Sequence, residues 1–178
     1  MAGYVGDWWL QQQQDYTIRN AYDWLGSPCV KVPWAKFVWD TLALPRQCFI
    51  GWLVMHRILL TKDRLKRMEV ITDVNCVLCA AAPETHSHLF SDCEYSQKCL
   101  PILSHSLVCH LPGQGWSDWW TRQKSHSQSL KYQIVAALLA LIYAIWWSRN
   151  HCRLEGILMR PEFIVARIDE HRKACFAV

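Results

Sequence analysis

Apolar positions in this chain recur at helical spacing, and no run alternates in the two-residue rhythm of a strand. Pro33 starts a short helix that places Trp34, Phe37, Val38 and Thr41 on one face, and Pro45 interrupts it. Cys48 to Leu60 is apolar nearly all round, with His56 and Arg57 as the polar break, so a buried core helix is expected. Thr61 is placed to cap the next helix, with Asp63 in its first turn. Glu94 to Leu100 reads as a short helix stopped by Pro101, and residues 101–115, with Leu-Pro-Gly-Gln-Gly, read as a loop. Ser117 heads a short helix with Trp119 and Trp120. Ser129 heads a long one that reaches about Glu155 and ends at Gly156. Pro161 opens a last amphipathic helix with Ile164, Ile168, His171 and Cys175 on one stripe.

The break in this helical pattern is chemical. Cys76-Val-Leu-Cys79, then His88 after eight residues and Cys93 after four more, put three thiols and an imidazole within 18 residues. That set suits one tetrahedral Zn²⁺: the Cys-x-x-Cys step lets a tight turn aim both sulfurs at one point. The His-x4-Cys step closes the tetrahedron through one helical turn or a short loop. His86 also stands in reach, but His88 gives the shorter closure to Cys93, leaving His86 facing solvent or supporting a ligand. A redox dithiol needs a β-α-β setting that is missing here. The fold class expected is mainly α: a small helical domain with an inserted Cys-Cys-His-Cys zinc knuckle.

Composition narrows the picture. A hydrophobic share of 52% against 19% charged residues supports a real core in a chain of 178 residues. Eleven tryptophans supply core and interface area. The nine cysteines are odd in number and no signal peptide opens the chain, so a nuclear or cytoplasmic setting is expected. The apolar run Ile134 to Trp147 is 14 residues long, shorter than the ~20 that span a bilayer, so no membrane span is expected.

Net charge is +4, a mild attraction for a polyanion. Lys62, Arg64, Lys66 and Arg67 lie just before the knuckle, where they are candidates for phosphate contact, with Phe90 as a candidate for stacking on bases. Catalytic patterns are missing. No glycine-rich phosphate loop, nucleophile elbow or His-Glu-x-x-His occurs, the acids are scattered, and four zinc ligands of this kind close the metal's coordination. A non-enzymatic role is expected.

Several stretches resemble a known family. Val32-Pro-Trp-Ala-Lys-Phe-Val-Trp39, Leu60-Thr-Lys-Asp-Arg-Leu-Lys-Arg67, Cys76-Val-Leu-Cys79 and Glu84-Thr-His-Ser-His-Leu-Phe-Ser-Asp-Cys93 are similar to the zinc-binding domain of plant LINE-type (non-LTR) retrotransposon reverse transcriptases. Ile145-Trp-Trp-Ser-Arg-Asn150 resembles a stretch that follows that domain in the family. The resemblance implies Cys76, Cys79, His88 and Cys93 as the Zn²⁺ ligands, since the family histidine precedes Leu-Phe. With no polymerase, endonuclease or ribonuclease H sequence, the chain reads as a free-standing or domesticated copy. The expected organisation is a flexible segment 1–21, a zinc-binding helical domain 22–155 with its knuckle at 74–93, and a C-terminal amphipathic helix in 156–178. The implied partner is RNA or single-stranded nucleic acid. The alternative is a host protein that docks on a Trp-rich apolar surface, with zinc purely architectural.

Overall fold

The computed structural model describes residues 32, 34–39, 42–107 and 128–176, with the side chains of 36, 37, 128, 129 and 171–176 outside the description. The segment 1–21, Thr41, the helix expected after Ser117 and six of the tryptophans therefore lie outside the described residues. Among the described residues there are six α-helices: α1 (Ala35–Trp39), α2 (Pro45–Met55), α3 (Lys62–Arg67), α4 (Glu94–Leu107), α5 (Gln128–Glu155) and α6 (Pro161–Phe176). Among the described residues there is no strand beyond the single antiparallel bridge between Asn75 and Pro83. The mainly helical class holds.

Pro45 begins α2, where its missing N–H costs nothing. Gln47 reaches back to accept the Leu44 N–H at 3.0 Å, half of a capping box. The expected helix to Leu60 ends early, at Met55. The stop is a Schellman turn: Arg57 takes φ 55°, its N–H bonds to the Val54 carbonyl, and the Ile58 N–H bonds to Leu53 at 3.0 Å. The same device ends α3, where Glu69 has φ 57° and the Val70 N–H bonds to Leu65.

Two further expectations change. Pro101 does not stop its helix; α4 continues to Leu107. Pro101 is exposed and deprives only the Gln97 carbonyl of its donor, while Leu100, Leu103 and Leu107 stay buried on either side. Packing overrides the breaker. The long helix starts at Gln128, so Ser129 lies inside its first turn, but Gly156 ends it as expected, with φ 70° and its N–H on the Cys152 carbonyl.

The centre of the molecule is α5. Every residue from Ile134 to Ile142 is buried, against α2 on one side and α4 and α6 on the other. Contact with α2 is close at Gly51, where an added Cβ would stand 2.3 Å from Leu139 Cδ2. Leu130–Glu155 is also long and apolar enough to cross a bilayer by length and composition, and half of its apolar window is buried inside this fold. Ile164, Val165 and Ile168 of α6 pack inward, and Tyr95 on α4 donates its O–H to the Met159 carbonyl at 2.8 Å, tying the α5–α6 connection to α4.

Candidate metal centre

Two local structures deliver the four ligands. The first is a hairpin-like turn: the Cys76 N–H bonds to the Ala82 carbonyl and the Glu84 N–H to the Val74 carbonyl, closing the arms below the Cys76–Cys79 tip. The Ala80 N–H bonds to the Cys76 carbonyl at 2.8 Å, and Ala80 takes φ 55° as the chain turns back. The second is a single wide turn of π type, His88–Asp92, closed by the Cys93 N–H on the His88 carbonyl at 2.7 Å. Thr85 sets up that turn by accepting the His88 N–H at 3.0 Å on its hydroxyl. Cys93 then sits as the residue that caps α4.

The four donor atoms lie within 4.8 Å of one another. Cys76 Sγ and Cys93 Sγ are 3.9 Å apart, and Cys79 Sγ is 3.2 Å from His88 Nε2. A tetrahedral Zn²⁺ with bonds of about 2.3 Å to sulfur and 2.0–2.1 Å to nitrogen calls for about 3.8 Å between sulfurs and about 3.5 Å between sulfur and nitrogen. The residues fit the metal. A bound Zn²⁺ would act here as a cross-link between the hairpin tip and the start of α4, with no open position for substrate.

The two buried thiols of the site shift each other in opposite directions. As bare thiols, Cys76 and Cys93 share one proton: the Cys93 S–H holds Cys76 down, at about 4, helped by the N–H groups of Cys79 and Leu78. Cys93 is pushed up by the same bond and by burial. The N–H groups of Tyr95 and Ser96, at the first turn of α4, point at the Cys93 sulfur and favour its anion, as does the helix dipole.

A family described as zinc-binding in reverse transcriptase matches residues 16–99. Over that stretch, a little under half of its length, the chain is similar to the zinc-binding family of reverse transcriptases. No curated protein and no solved structure matches the chain.

Within the matched segment, Glu84 has a role that the sequence reading missed. Its side chain is fully buried (0% exposed). One oxygen, Oε1, accepts from Arg149 Nη2 at 2.6 Å, Arg149 Nε at 3.0 Å and the Lys62 N–H at 2.9 Å. Its carbonyl accepts the Asp63 N–H at 3.2 Å. Glu84, not Thr61, therefore caps α3; the Thr61 hydroxyl turns to the Asp63 carboxylate. Arg149, 2% exposed, also donates to the Leu60 carbonyl at 3.3 Å and lies 4.8 Å from the Trp146 ring centroid. The signal was present in Glu84-Thr85 and in Ser148-Arg149-Asn150, two quoted stretches 65 residues apart whose pairing no local rule reveals.

Other candidates are redistributed. Phe90 is 3% exposed and packs in the core, so it has no face to offer a base. Lys62 is 8% exposed and its Nζ is paired with Asp73 at 2.7 Å, which removes it from the phosphate-binding set. Lys66 and Arg67 are exposed, Arg67 sharing Asp63 at 3.3 Å, and Arg64 is half-buried with a hydrogen bond to the Arg57 carbonyl. His86 is half-buried and lies outside the four-donor cluster: it bonds to the Val54 backbone at the end of α2, packs on Phe90, and burial lowers its pKa. Among the described tryptophans only Trp39 is exposed; Trp34, Trp52, Trp146 and Trp147 are half-buried.

Proposed function

We propose that the chain is a non-catalytic, zinc-structured module that binds RNA or other single-stranded nucleic acid, of the kind found in plant retrotransposon reverse transcriptases. The observation that carries this reading is the cationic surface beside a closed metal site: Arg57, Arg64, Lys66 and Arg67 gather at the end of α2 and along α3, which Glu84 fixes to the knuckle. The metal's task is to fold the loop, and phosphate contact belongs to the cations.

The test is the salt dependence of binding to a single-stranded RNA oligomer. Affinity falls steeply with salt, and the double variant Lys66→Glu, Arg67→Glu weakens it and lowers the salt slope by about two. Binding that ignores both salt and the variant, or no binding at all, rejects the reading.

One observation favours a protein partner instead. Met68 and Val70, 59% and 61% exposed, stand beside the same cations, and Leu154, Ile157 and Leu158 are exposed at the end of α5. In that reading zinc is architectural, and Met68→Glu with Val70→Glu abolishes capture of a partner that resists nuclease.

A further inference from the structure

A second surface, on a different face from α3, carries chemistry that the knuckle does not use. Between α2, α5 and α6 runs a groove of about 280 Å³, near the lower end of small-ligand pockets. Its floor is apolar, with Ile164 and Ile168 buried beneath it. Arg46 stands 5.4 Å from the Tyr143 ring centroid, and Arg167 stands 6.0 Å from Trp147 and 5.9 Å from Phe163. Phe163 is 50% exposed, and the Trp147 ring is steadied by His151 stacked at 5.0 Å.

We propose that this groove is a base-stacking site for single-stranded nucleic acid, with Phe163 and Tyr143 receiving bases and Arg46 and Arg167 receiving phosphates. It rests on the nucleic-acid reading above and gives that reading its aromatic contacts, which Phe90 cannot supply. Stacking on exposed rings flanked by guanidinium groups is how single strands are held without sequence readout. Neither arginine has a carboxylate partner among the described residues. Of the three acids of α6, Asp169 accepts from Ser106 on α4 and Glu162 acts on Lys98 and Cys99, while Glu170 is exposed one turn beyond Arg167.

Alternative occupants fit less well. An acidic peptide would satisfy the guanidinium groups but leave the Phe163 ring unmatched. An apolar helix would cover Phe163 but bury two unpaired cations, which is costly. A nucleotide strand matches both, since it carries flat rings and anions at short spacing.

The experiment compares labelled single-stranded RNA and DNA oligomers of matched sequence, binding to wild type, Phe163→Ala, Arg167→Glu and Lys66→Glu, Arg67→Glu, with photo-crosslinks mapped by mass spectrometry. Zinc content and melting temperature report that each surface variant keeps its fold. The expected result is a loss of about tenfold in affinity for Phe163→Ala, with crosslinks at Tyr143 or Phe163. A weaker effect on DNA than on RNA assigns the site to RNA, and equal effects assign it to single strands generally. Wild-type affinity in Phe163→Ala and Arg167→Glu, with crosslinks confined to α3, overturns the groove and leaves the nucleic-acid reading intact. No binding by any form overturns both, and a protein crosslinked through Phe163 in place of the oligomer overturns the groove.

Discussion

The knuckle and the helical body are ordered by different forces. Around α5, which packs against α1, α2, α4 and α6, order comes from area: nine consecutive residues, Ile134 to Ile142, are buried, and any one of them contributes a modest share. The knuckle, residues 74–93, has one bridge and one wide turn, so its shape depends on a few directional groups. Those are four metal donors, the Glu84–Arg149 pair, and three buried side chains, Leu78, Leu89 and Phe90, that plug it into the core. A region held by area degrades gradually under substitution, whereas a region held by a few bonds fails all at once.

Metal removal separates the two most sharply. Structural zinc contributes an apparent ~10–16 kcal/mol to folding in small domains. Chelation, or Cys79→Ser, is expected to lower zinc well below one per chain and to abolish amide protection over residues 74–93, while α5 keeps its protection in hydrogen exchange. Thiol chemistry reports the same split. Cys76, Cys79 and Cys93 become open to alkylation after chelation, while Cys99, a buried thiol pushed up to about 12 by desolvation, stays unmodified at neutral pH until the body unfolds. Simultaneous loss of protection in α5 would mean that the regions form one cooperative unit and that the contrast is false.

The next effect concerns their junction. Glu84→Gln leaves Arg149 charged and buried without a counter-charge, so a loss of about 3–5 kcal/mol in denaturant unfolding is expected. The double variant Glu84→Gln, Arg149→Met removes the stranded charge and should recover most of it. If the double variant is no better than the single one, the pair is not the link between knuckle and body.

How much of this was legible in the sequence follows the same division. The helical body could be read from apolar periodicity and from Pro45, Gly156 and Pro161, because those signals are local. The ends of α2 and α3 could not, because Arg57 and Glu69 take a left-handed conformation that usually marks glycine. Pro101 misled for the opposite reason: a strong local breaker sits on a helix whose buried leucines outweigh it. At the site, the spacing of Cys76, Cys79, His88 and Cys93 is sequence information, and the structure brings their donor atoms together. Burial is not visible at one position, so Lys62 and Phe90 were indistinguishable from surface groups until the fold put Asp73 and the core around them.

Inside the body, a smaller change tests whether packing is as tolerant as the comparison holds. Gly51→Ala adds a methyl 2.3 Å from Leu139 Cδ2, a buried side chain with little room to turn. Overpacking costs about 1–3 kcal/mol, and the gain in helix propensity returns up to about 1. The net expectation is a lower melting temperature with zinc content unchanged. A drop in zinc affinity alongside it would show strain passing from α2 to the knuckle.

The smallest effect is expected at Ala80, and it runs in the stabilising direction. Ala80 sits at φ 55° behind the Cys-x-x-Cys tip, where the chain turns back after its N–H has bonded to the Cys76 carbonyl. A left-handed conformation costs an L-residue about 1–2 kcal/mol, and glycine escapes that cost while giving back about 0.4–1 in the entropy of the unfolded chain. Ala80→Gly is therefore expected to raise zinc affinity a few-fold, measured by competition with a chelator, and to leave the unfolding of α5 untouched. The substitution adds no contact and fills no space, so a rise in affinity isolates backbone geometry as a determinant of the knuckle. A fall would mean that the turn is held by the metal and not by its own hydrogen bonds, with glycine merely loosening the loop that the ligands must close.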